Sequence, residues 1–208
     1  MSADPVGLQH LRACDPVLCA LIDRYGPDGL GQRREGNQSQ HYGALVRAIV
    51  GQQLSTRAAA AIYRRLADRF DGREPTPQEI LGDDPEQLRA VGLSRAKVTF
   101  LRSLAEHVLD GSLELEELHT LPDEQVIAEL TAVKGIGTWS AHVFLIFHLG
   151  RPDVLAAGDL GIRKAMMETY RLDALPLPPA MEAIAACWRP HRTLACRYLW
   201  RSLDNEPA

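Results

Sequence analysis

The sequence predicts an all-α fold. Apolar residues recur three and four positions apart in most segments, as in Val126, Leu130 and Val133, and this spacing places them on one helix face. Ser55 and Ser94 stand where the N-caps of following helices would lie. No segment alternates apolar and polar residues convincingly, as a half-buried strand would. We therefore expect helices and no sheet.

The predicted helices cover residues 43–53, 56–70, about 95–108, 122–133, 138–149, 160–170, 179–188 and 190–203. The segment 138–149 is almost wholly apolar, so we expect that helix to be buried on all sides. Pro75, Pro77 and the run Gly82-Asp-Asp-Pro85 are typical of loops. The N-terminal stretch through Asn37-Gln38-Ser39 is less regular, and we expect it to pack beside the C-terminal helices.

The composition is that of a soluble globular protein. The 208 residues are 46% hydrophobic and 24% charged, and they suffice for one large domain or two small lobes that share a groove. There is no apolar run of about 18 residues, as a membrane span needs, and no signal-peptide pattern. We expect a cytoplasmic, nucleoid-associated protein without a membrane partner.

Charge and cysteine usage narrow the function classes further. A net charge of −4 argues against a protein that coats nucleic acid nonspecifically. Acidic residues concentrate between 110 and 129, however, whereas residues 188–201 carry four arginines, so a local DNA-facing surface remains. The four cysteines form no CxxC pair and no iron–sulfur cluster spacing, and we interpret all of them as reduced thiols.

The most informative run is Leu130-Thr-Ala-Val-Lys-Gly-Ile-Gly-Thr-Trp-Ser-Ala141. One helix is expected to end at Val133 and another to begin at Thr138, with the turn Gly135-Ile136-Gly137 between them. Glycine at both turn positions permits positive φ and close approach of another backbone. Ile136 can anchor the turn in the core. The turn amides and the next helix start form a phosphate site, beside which Lys134 adds positive charge.

Two alternatives stay open at the hairpin. A Gly-x-Gly turn alone can be a simple helix–helix connection. The sequence also leaves open whether a monovalent cation bridges the turn carbonyls to the phosphate. We expect no other cofactor and no other metal.

Several motifs in order resemble the helix-hairpin-helix–GPD superfamily of DNA glycosylases. About twenty residues after the hairpin comes Asp-Leu-Gly-Ile-Arg-Lys, residues 159–164, which matches the superfamily pattern. Three further runs resemble its alkylbase branch, the bacterial 3-methyladenine DNA glycosylase II type. These runs are residues 48–55 (Ala-Ile-Val-Gly-Gln-Gln-Leu-Ser), 92–97 (Gly-Leu-Ser-Arg-Ala-Lys) and 188–192 (Trp-Arg-Pro-His-Arg).

The resemblance implies two helical lobes that flank a DNA-binding cleft. We expect one glycosylase unit over 1–208, with lobe one at about 41–155 and lobe two from 1–40 plus 156–208. The chain has no room for the N-terminal β-rich domain of longer members. The loop Leu155-Ala-Ala-Gly-Asp159 lacks the proline often found there. The implied partner is double-stranded DNA with damaged bases, bound by a monomer.

Asp159 is the candidate catalytic residue. It directly precedes a predicted helix, so it is also a candidate N-cap, and the two roles are compatible because a helix N-terminus favours an ionised carboxylate. Hydrolysis of an N-glycosidic bond passes through a sugar with oxocarbenium character. A fixed anion stabilises that charge. Whether Asp159 also activates water stays open.

The resemblance assigns the base pocket to Trp139, Trp200 and Val143. Strand-cutting relatives carry a Schiff-base lysine where this chain has Trp139, which predicts a monofunctional enzyme. N3- and N7-methyl purines carry positive charge, and a cation stacks on indole with about 0.5–2 kcal/mol of added attraction. Ordinary core packing is the alternative for both tryptophans. Val143 stands where the branch can have a tyrosine, which would make this pocket more open.

The loop Gln52-Gln53-Leu54 is the candidate wedge that fills the space left by a flipped base. Extrusion unstacks the base and costs a few kcal/mol, which an inserted side chain partly offsets. Gln53 matches the inserting position, and the more apolar Leu54 competes with it. Arg192, like Lys97, is a candidate phosphate contact.

We therefore expect a hydrolase of base excision repair that removes alkylated bases after base flipping. The alternatives are a helix-hairpin-helix glycosylase of other base specificity, a non-catalytic DNA-binding module and a purely structural helical protein. The sequence leaves the preferred lesion open.

Overall fold

The structure, a computed structural model, describes residues 4–27 and 41–203, and every regular element in these two ranges is helical. In chain order the helices are α1 (Pro5–Cys14), α2 (Pro16–Tyr25), α3 (His41–Gly51), α4 (Thr56–Asp68), α5 (Pro77–Gly82), α6 (Pro85–Ala90), α7 (Arg95–Leu109), α8 (Asp123–Ala132), α9 (Thr138–Phe147), α10 (Leu160–Thr169), α11 (Pro178–Ala185) and α12 (Arg192–Ser202). The all-α prediction is confirmed. None of these helices has the length and apolar character that crossing a membrane requires.

The chain divides into two compact units, and the division falls within α9. Described residues 41–144 form one, here called the hairpin unit. Described residues 4–27 and 145–203 form the other, here called the aspartate unit. All four cysteines lie in the aspartate unit, and none of them forms a disulfide in the structure.

The hairpin unit packs α3 and α5 against α7, and α4 against α3. Its fully buried core includes Leu45, Ile49, Leu66 and Leu101. The N-caps are those expected, since the Ser55 and Ser94 hydroxyls accept backbone N–H groups of α4 and α7. Capping and apolar spacing together fix where these helices begin and which face they bury.

The short helices α5 and α6 correct the expectation of loops around Pro77 and Pro85. Each proline occupies the first helical position, where its missing N–H is harmless. Thr76 caps α5 in a capping box with Glu79, and Asp84 caps α6. The prolines therefore mark helix starts rather than loop interiors.

The aspartate unit packs α12 against α2 and α10, and α1 against α2. A buried carboxylate, Asp15, caps α2 and accepts the hydroxyl of Tyr170 at 2.6 Å and the indole N–H of Trp188 at 2.7 Å. The N-terminal stretch thus packs beside the C-terminal helix as expected, although α1 and α2 are more regular than predicted. Asn37-Gln38-Ser39 lies outside the described residues.

The boundary between the units lies after Phe144 rather than near residue 155. Segment 151–155 belongs to the aspartate unit because α12 binds it. The Thr193 hydroxyl donates to the Arg151 carbonyl at 2.6 Å and accepts the Val154 N–H at 3.1 Å. These bonds connect residues about forty positions apart, which no local pattern reveals.

Candidate functional site

The hairpin between α8 and α9 has the predicted position, and Gly135 is essential to its geometry. Gly135 has φ +90°, and a Cβ there would lie 2.2 Å from the ring of Phe100. Ile136 is buried, and its N–H donates to the Val133 carbonyl at 3.1 Å. The Lys134 N–H donates to the Ser103 hydroxyl at 3.2 Å. The turn is therefore fixed from inside the unit.

Gly137 differs from Gly135, because both turn glycines permit positive φ but only Gly135 adopts it. A Cβ at Gly137 would meet no atom within 4 Å, so nothing inside the protein requires glycine there. Gly137 is exposed, together with Thr138 and the Lys134 side chain. The outward side of the turn therefore combines a missing side chain, a helix start and a cation, an arrangement suited to a phosphate.

The candidate wedge loop, residues 52–54, is held by two side chains of the same unit. The Gln52 amide donates to the Gly135 carbonyl at 2.8 Å, and the Lys97 ammonium donates to the Val50 carbonyl at 2.7 Å. The sequence makes Gln52 and Lys97 candidate DNA contacts, but in the structure both side chains donate to backbone carbonyls of the protein itself. Burial lowers the pKa of Lys97. The two bonds brace the loop at its base.

At the tip of this loop two side chains point outward. Gln53 adopts φ +58°, in the left-handed region, and is exposed. Leu54 is 39% exposed, which is high for a large apolar residue. Either can reach an external partner, so the two wedge candidates of the sequence both remain.

Helix α9 is not buried on all sides, contrary to expectation. Trp139 is 43% exposed, and Val143, one helical turn further along, is half-buried. Ordinary core packing therefore does not describe Trp139. Its indole ring lies directly after the hairpin turn and is partly exposed to solvent.

In the aspartate unit, Asp159 combines burial with a fixed orientation. Its side chain caps α10 and is 7% exposed. One carboxylate oxygen, Oδ1, accepts the Ile162 N–H at 2.8 Å and the Trp200 indole N–H at 2.8 Å. A buried carboxylate at a helix N-terminus, with an oxygen held by two donors, is a preorganised negative charge.

Trp200 corrects the sequence interpretation. It was expected as a wall of the base pocket, yet it is fully buried, and its ring packs 5.8 Å from that of Phe147. Its indole N–H is directed at Asp159. Helices α10 and α12 pack together, and this packing brings the Trp200 indole to Asp159. Because Trp200 is fully buried, its ring has no exposed face for a base.

Arg192 is also not the surface phosphate contact that was expected. Its guanidinium pairs with the Asp153 carboxylate at 2.7 Å, donates to the Asp153 carbonyl at 2.6 Å and reaches Glu182 at 3.3 Å. Its side chain is only 11% exposed. Sequence reasoning missed Asp153 and Thr193, which hold the loop before Asp159, because nothing in their local spacing indicates these distant partners.

No group of three or more His, Cys, Asp or Glu side chains in ranges 4–27 and 41–203 is arranged to hold a metal ion. The hairpin unit offers backbone amides, an exposed tryptophan and a candidate wedge loop, and the aspartate unit offers the fixed carboxylate of Asp159.

Comparison with known proteins defines the class. Residues 46–190 match the HhH-GPD superfamily of base excision DNA repair proteins. This match covers more than half of the chain, so the chain belongs to that superfamily.

Individual relatives refine the comparison. DNA-3-methyladenine glycosylase 1 of Schizosaccharomyces pombe is 37% identical over 187 residues, which cover 89% of this chain and 80% of that protein. The structure of the S. pombe 3-methyladenine DNA glycosylase in complex with abasic DNA has a TM-score of 0.82 at 34% identity, covering 97% of this chain and 99% of that one. A DNA-3-methyladenine glycosidase from Bacillus halodurans has a TM-score of 0.83 at 34% identity, covering 97% and 91%.

Proposed function

We infer that this protein is a monofunctional DNA glycosylase that hydrolyses the N-glycosidic bond of alkylated bases in base excision repair. The observation that carries this proposal is the fixed carboxylate of Asp159 in a member of the HhH-GPD superfamily. Similarity to proteins named DNA-3-methyladenine glycosylase supports the alkylbase specificity.

The chemistry needs one negative charge near the sugar. As the bond from C1′ to the base breaks, positive charge develops on the deoxyribose ring. A carboxylate already oriented by two donors stabilises that charge without reorganising. Bases methylated at N3 or N7 of a purine are cationic and leave as neutral molecules, so the enzyme does not need a strong general acid.

Trp139 supports both the lesion class and the monofunctional mechanism. A residue without an amine at this position cannot form a Schiff base with the sugar. Its exposed indole offers a π face on which a cationic base can stack, with about 0.5–2 kcal/mol of added attraction. Val143 on the same helix limits the space beside it less than an aromatic residue would.

The hairpin and the wedge loop are the proposed DNA contacts. Backbone amides at Gly137 and Thr138 bind a phosphate oxygen, and Lys134 adds a cation beside it. Gln53 or Leu54 fills the space of the extruded nucleotide. A bound monovalent cation at the turn carbonyls would add to this phosphate site. The proposed partner is double-stranded DNA, bound by one copy of the chain.

The test is release of free base from an oligonucleotide with one defined lesion, such as 7-methylguanine. The wild-type protein should release the base and leave an abasic strand that breaks only on heating with alkali. Borohydride should trap no protein–DNA adduct. Failure to release any alkylated base would leave a non-catalytic DNA-binding module as the better description.

Competition among lesions in one oligonucleotide tests the specificity. Preferential release of methylated purines over 8-oxoguanine supports the alkylbase assignment. The reverse preference would mean a glycosylase of other specificity.

A further inference from the structure

Two tryptophan–aspartate pairs lie buried in the aspartate unit, and one of them includes the candidate catalytic residue, Asp159. In each pair a fully buried indole donates to an aspartate that caps a helix: Trp188 to Asp15 at 2.7 Å, and Trp200 to Asp159 at 2.8 Å. We propose that Trp200 is a positioning residue, which fixes the rotation of the Asp159 carboxylate for base release. This inference rests on the proposed role of Asp159.

The hydrogen bonds at Asp159 explain how this works. Capping of α10 connects Oδ1 to the Ile162 N–H at 2.8 Å. The Trp200 indole N–H reaches the same oxygen from another helix, so donors on α10 and α12 together hold Oδ1. Packing against Phe147 in turn fixes the indole ring. The result is a carboxylate whose orientation is set before a substrate arrives.

Helix α12 also holds the loop that leads to Asp159. Arg192 pairs with Asp153, Thr193 bonds the backbone at Arg151 and Val154, and the Cys196 thiol donates to the Val154 carbonyl at 3.6 Å. One rigid helix therefore positions both the loop backbone and the carboxylate. This arrangement lets Trp200 act through Asp159 without touching the base.

Asp15 is the internal contrast. Its carboxylate accepts the backbone N–H groups of Val17 and Leu18 as well as the donors on Tyr170 and Trp188. This network joins α1 and α2 to the C-terminal helices and has no proposed part in chemistry. A variant of Trp188 therefore loses an N–H donor at an equally buried position, as a variant of Trp200 does, but the aspartate it affects has no proposed part in catalysis.

The kinetic test compares Trp200→Phe with Trp188→Phe, because phenylalanine keeps an aromatic ring but removes the N–H. For Trp200→Phe we expect the single-turnover rate of 7-methylguanine release to fall about 10- to 100-fold, as for loss of a hydrogen bond to a charged group. Affinity for DNA with a tetrahydrofuran abasic site should change less than about twofold. Trp188→Phe should keep the wild-type rate per folded molecule while melting at a lower temperature.

Two results would overturn the proposal. One is that folded Trp200→Phe has both the wild-type rate and the wild-type DNA affinity. The other is a loss of DNA affinity at an unchanged rate, which would return Trp200 to the pocket wall. In both cases the wild-type enzyme and Asp159→Asn still test the proposed function separately, since positioning can fail while Asp159 remains essential.

A second measurement does not depend on whether Trp200→Phe folds. The chain has three tryptophans and hence three indole N–H signals in a ¹H–¹⁵N NMR spectrum. Asp159→Asn should shift the Trp200 signal and leave that of Trp188 in place, and Asp15→Asn should do the reverse. A Trp200 signal that does not respond to Asp159→Asn would contradict the proposed contact.

Discussion

Gln52 and Gly135 are 83 positions apart in the chain, yet the side-chain amide nitrogen of Gln52 lies 2.8 Å from the Gly135 carbonyl oxygen. This bond connects the loop proposed to enter the base stack with the turn proposed to hold a phosphate. Through this hydrogen bond, a phosphate bound at the turn would be coupled to the position of the wedge loop. The two proposed functions of the hairpin unit are therefore linked by this hydrogen bond.

Removing this hydrogen bond should slow base release more than it reduces stability. Gln52→Leu loses one partly buried hydrogen bond, which contributes about 1 kcal/mol to the free energy of unfolding. A loosened loop should lower the single-turnover rate several-fold, because the wedge is no longer held in place. Thermal melting and single-turnover kinetics measure the two effects. A rate equal to that of wild type would show that the wedge does not depend on the Gln52–Gly135 bond.

The two hairpin glycines should respond differently to alanine. Gly135→Ala places a Cβ against Phe100 at positive φ, so we expect it to lower the free energy of unfolding by more than about 1 kcal/mol. Gly137→Ala meets no atom of the protein and should leave the melting temperature nearly unchanged. It should nevertheless weaken DNA binding, since its methyl group occupies the path of the phosphate. Equal DNA affinity of Gly137→Ala and wild type would argue against a phosphate at this turn.

Arg192 should matter for stability and not for DNA charge contacts. Arg192→Met removes a nearly buried ion pair with Asp153, which should lower the free energy of unfolding by about 1.5–3 kcal/mol. Arg189→Met is the control, because Arg189 pairs with the same carboxylate but is 56% exposed, and such pairs contribute less than about 1 kcal/mol. Chemical denaturation measures both. The salt dependence of DNA affinity should be the same for Arg192→Met and wild type. A shallower salt dependence for Arg192→Met would indicate that Arg192 contacts a phosphate after all.

Trp139 should set the preference for charged lesions. Trp139→Leu keeps an apolar surface but removes the π face, so release of cationic 7-methylguanine should slow about tenfold, within the range of a cation–π contact. Release of a neutral lesion such as hypoxanthine, if the wild type removes it, should slow less. Parallel single-turnover assays measure the ratio. An equal loss on both bases would indicate a purely steric wall.

The sequence predicts the parts of this molecule that depend on local interactions. The caps at Ser55 and Ser94, the buried Ile136 and the helix that starts after Asp159 follow from spacing and residue type over a few positions. The resemblance to the superfamily adds the prediction that Asp159 is the catalytic residue. These features can be predicted from the sequence because each depends on residues close together in the chain or on a recognisable motif.

What the sequence could not provide depends on distant packing. Trp139 and Trp200 are the same residue type in similar helical contexts, but one is exposed and the other is fully buried. Burial is decided by the elements that pack against a position, and for Trp200 these include Phe147 and Asp159. Arg192 was misinterpreted for the same reason, because its partner Asp153 lies 39 positions away.

The proposed function depends most directly on the negative charge of Asp159. Asp159→Asn keeps an oxygen that can cap α10 and accept the Trp200 N–H, so the variant should fold and bind DNA containing a tetrahydrofuran site. The decisive measurement is its single-turnover rate of 7-methylguanine release beside that of Trp188→Phe, which perturbs the other buried pair of the same unit. We predict a loss of at least about 100-fold for Asp159→Asn, as when a charge-stabilising group is removed, and none for Trp188→Phe. Base release by folded Asp159→Asn at the wild-type rate would contradict the account.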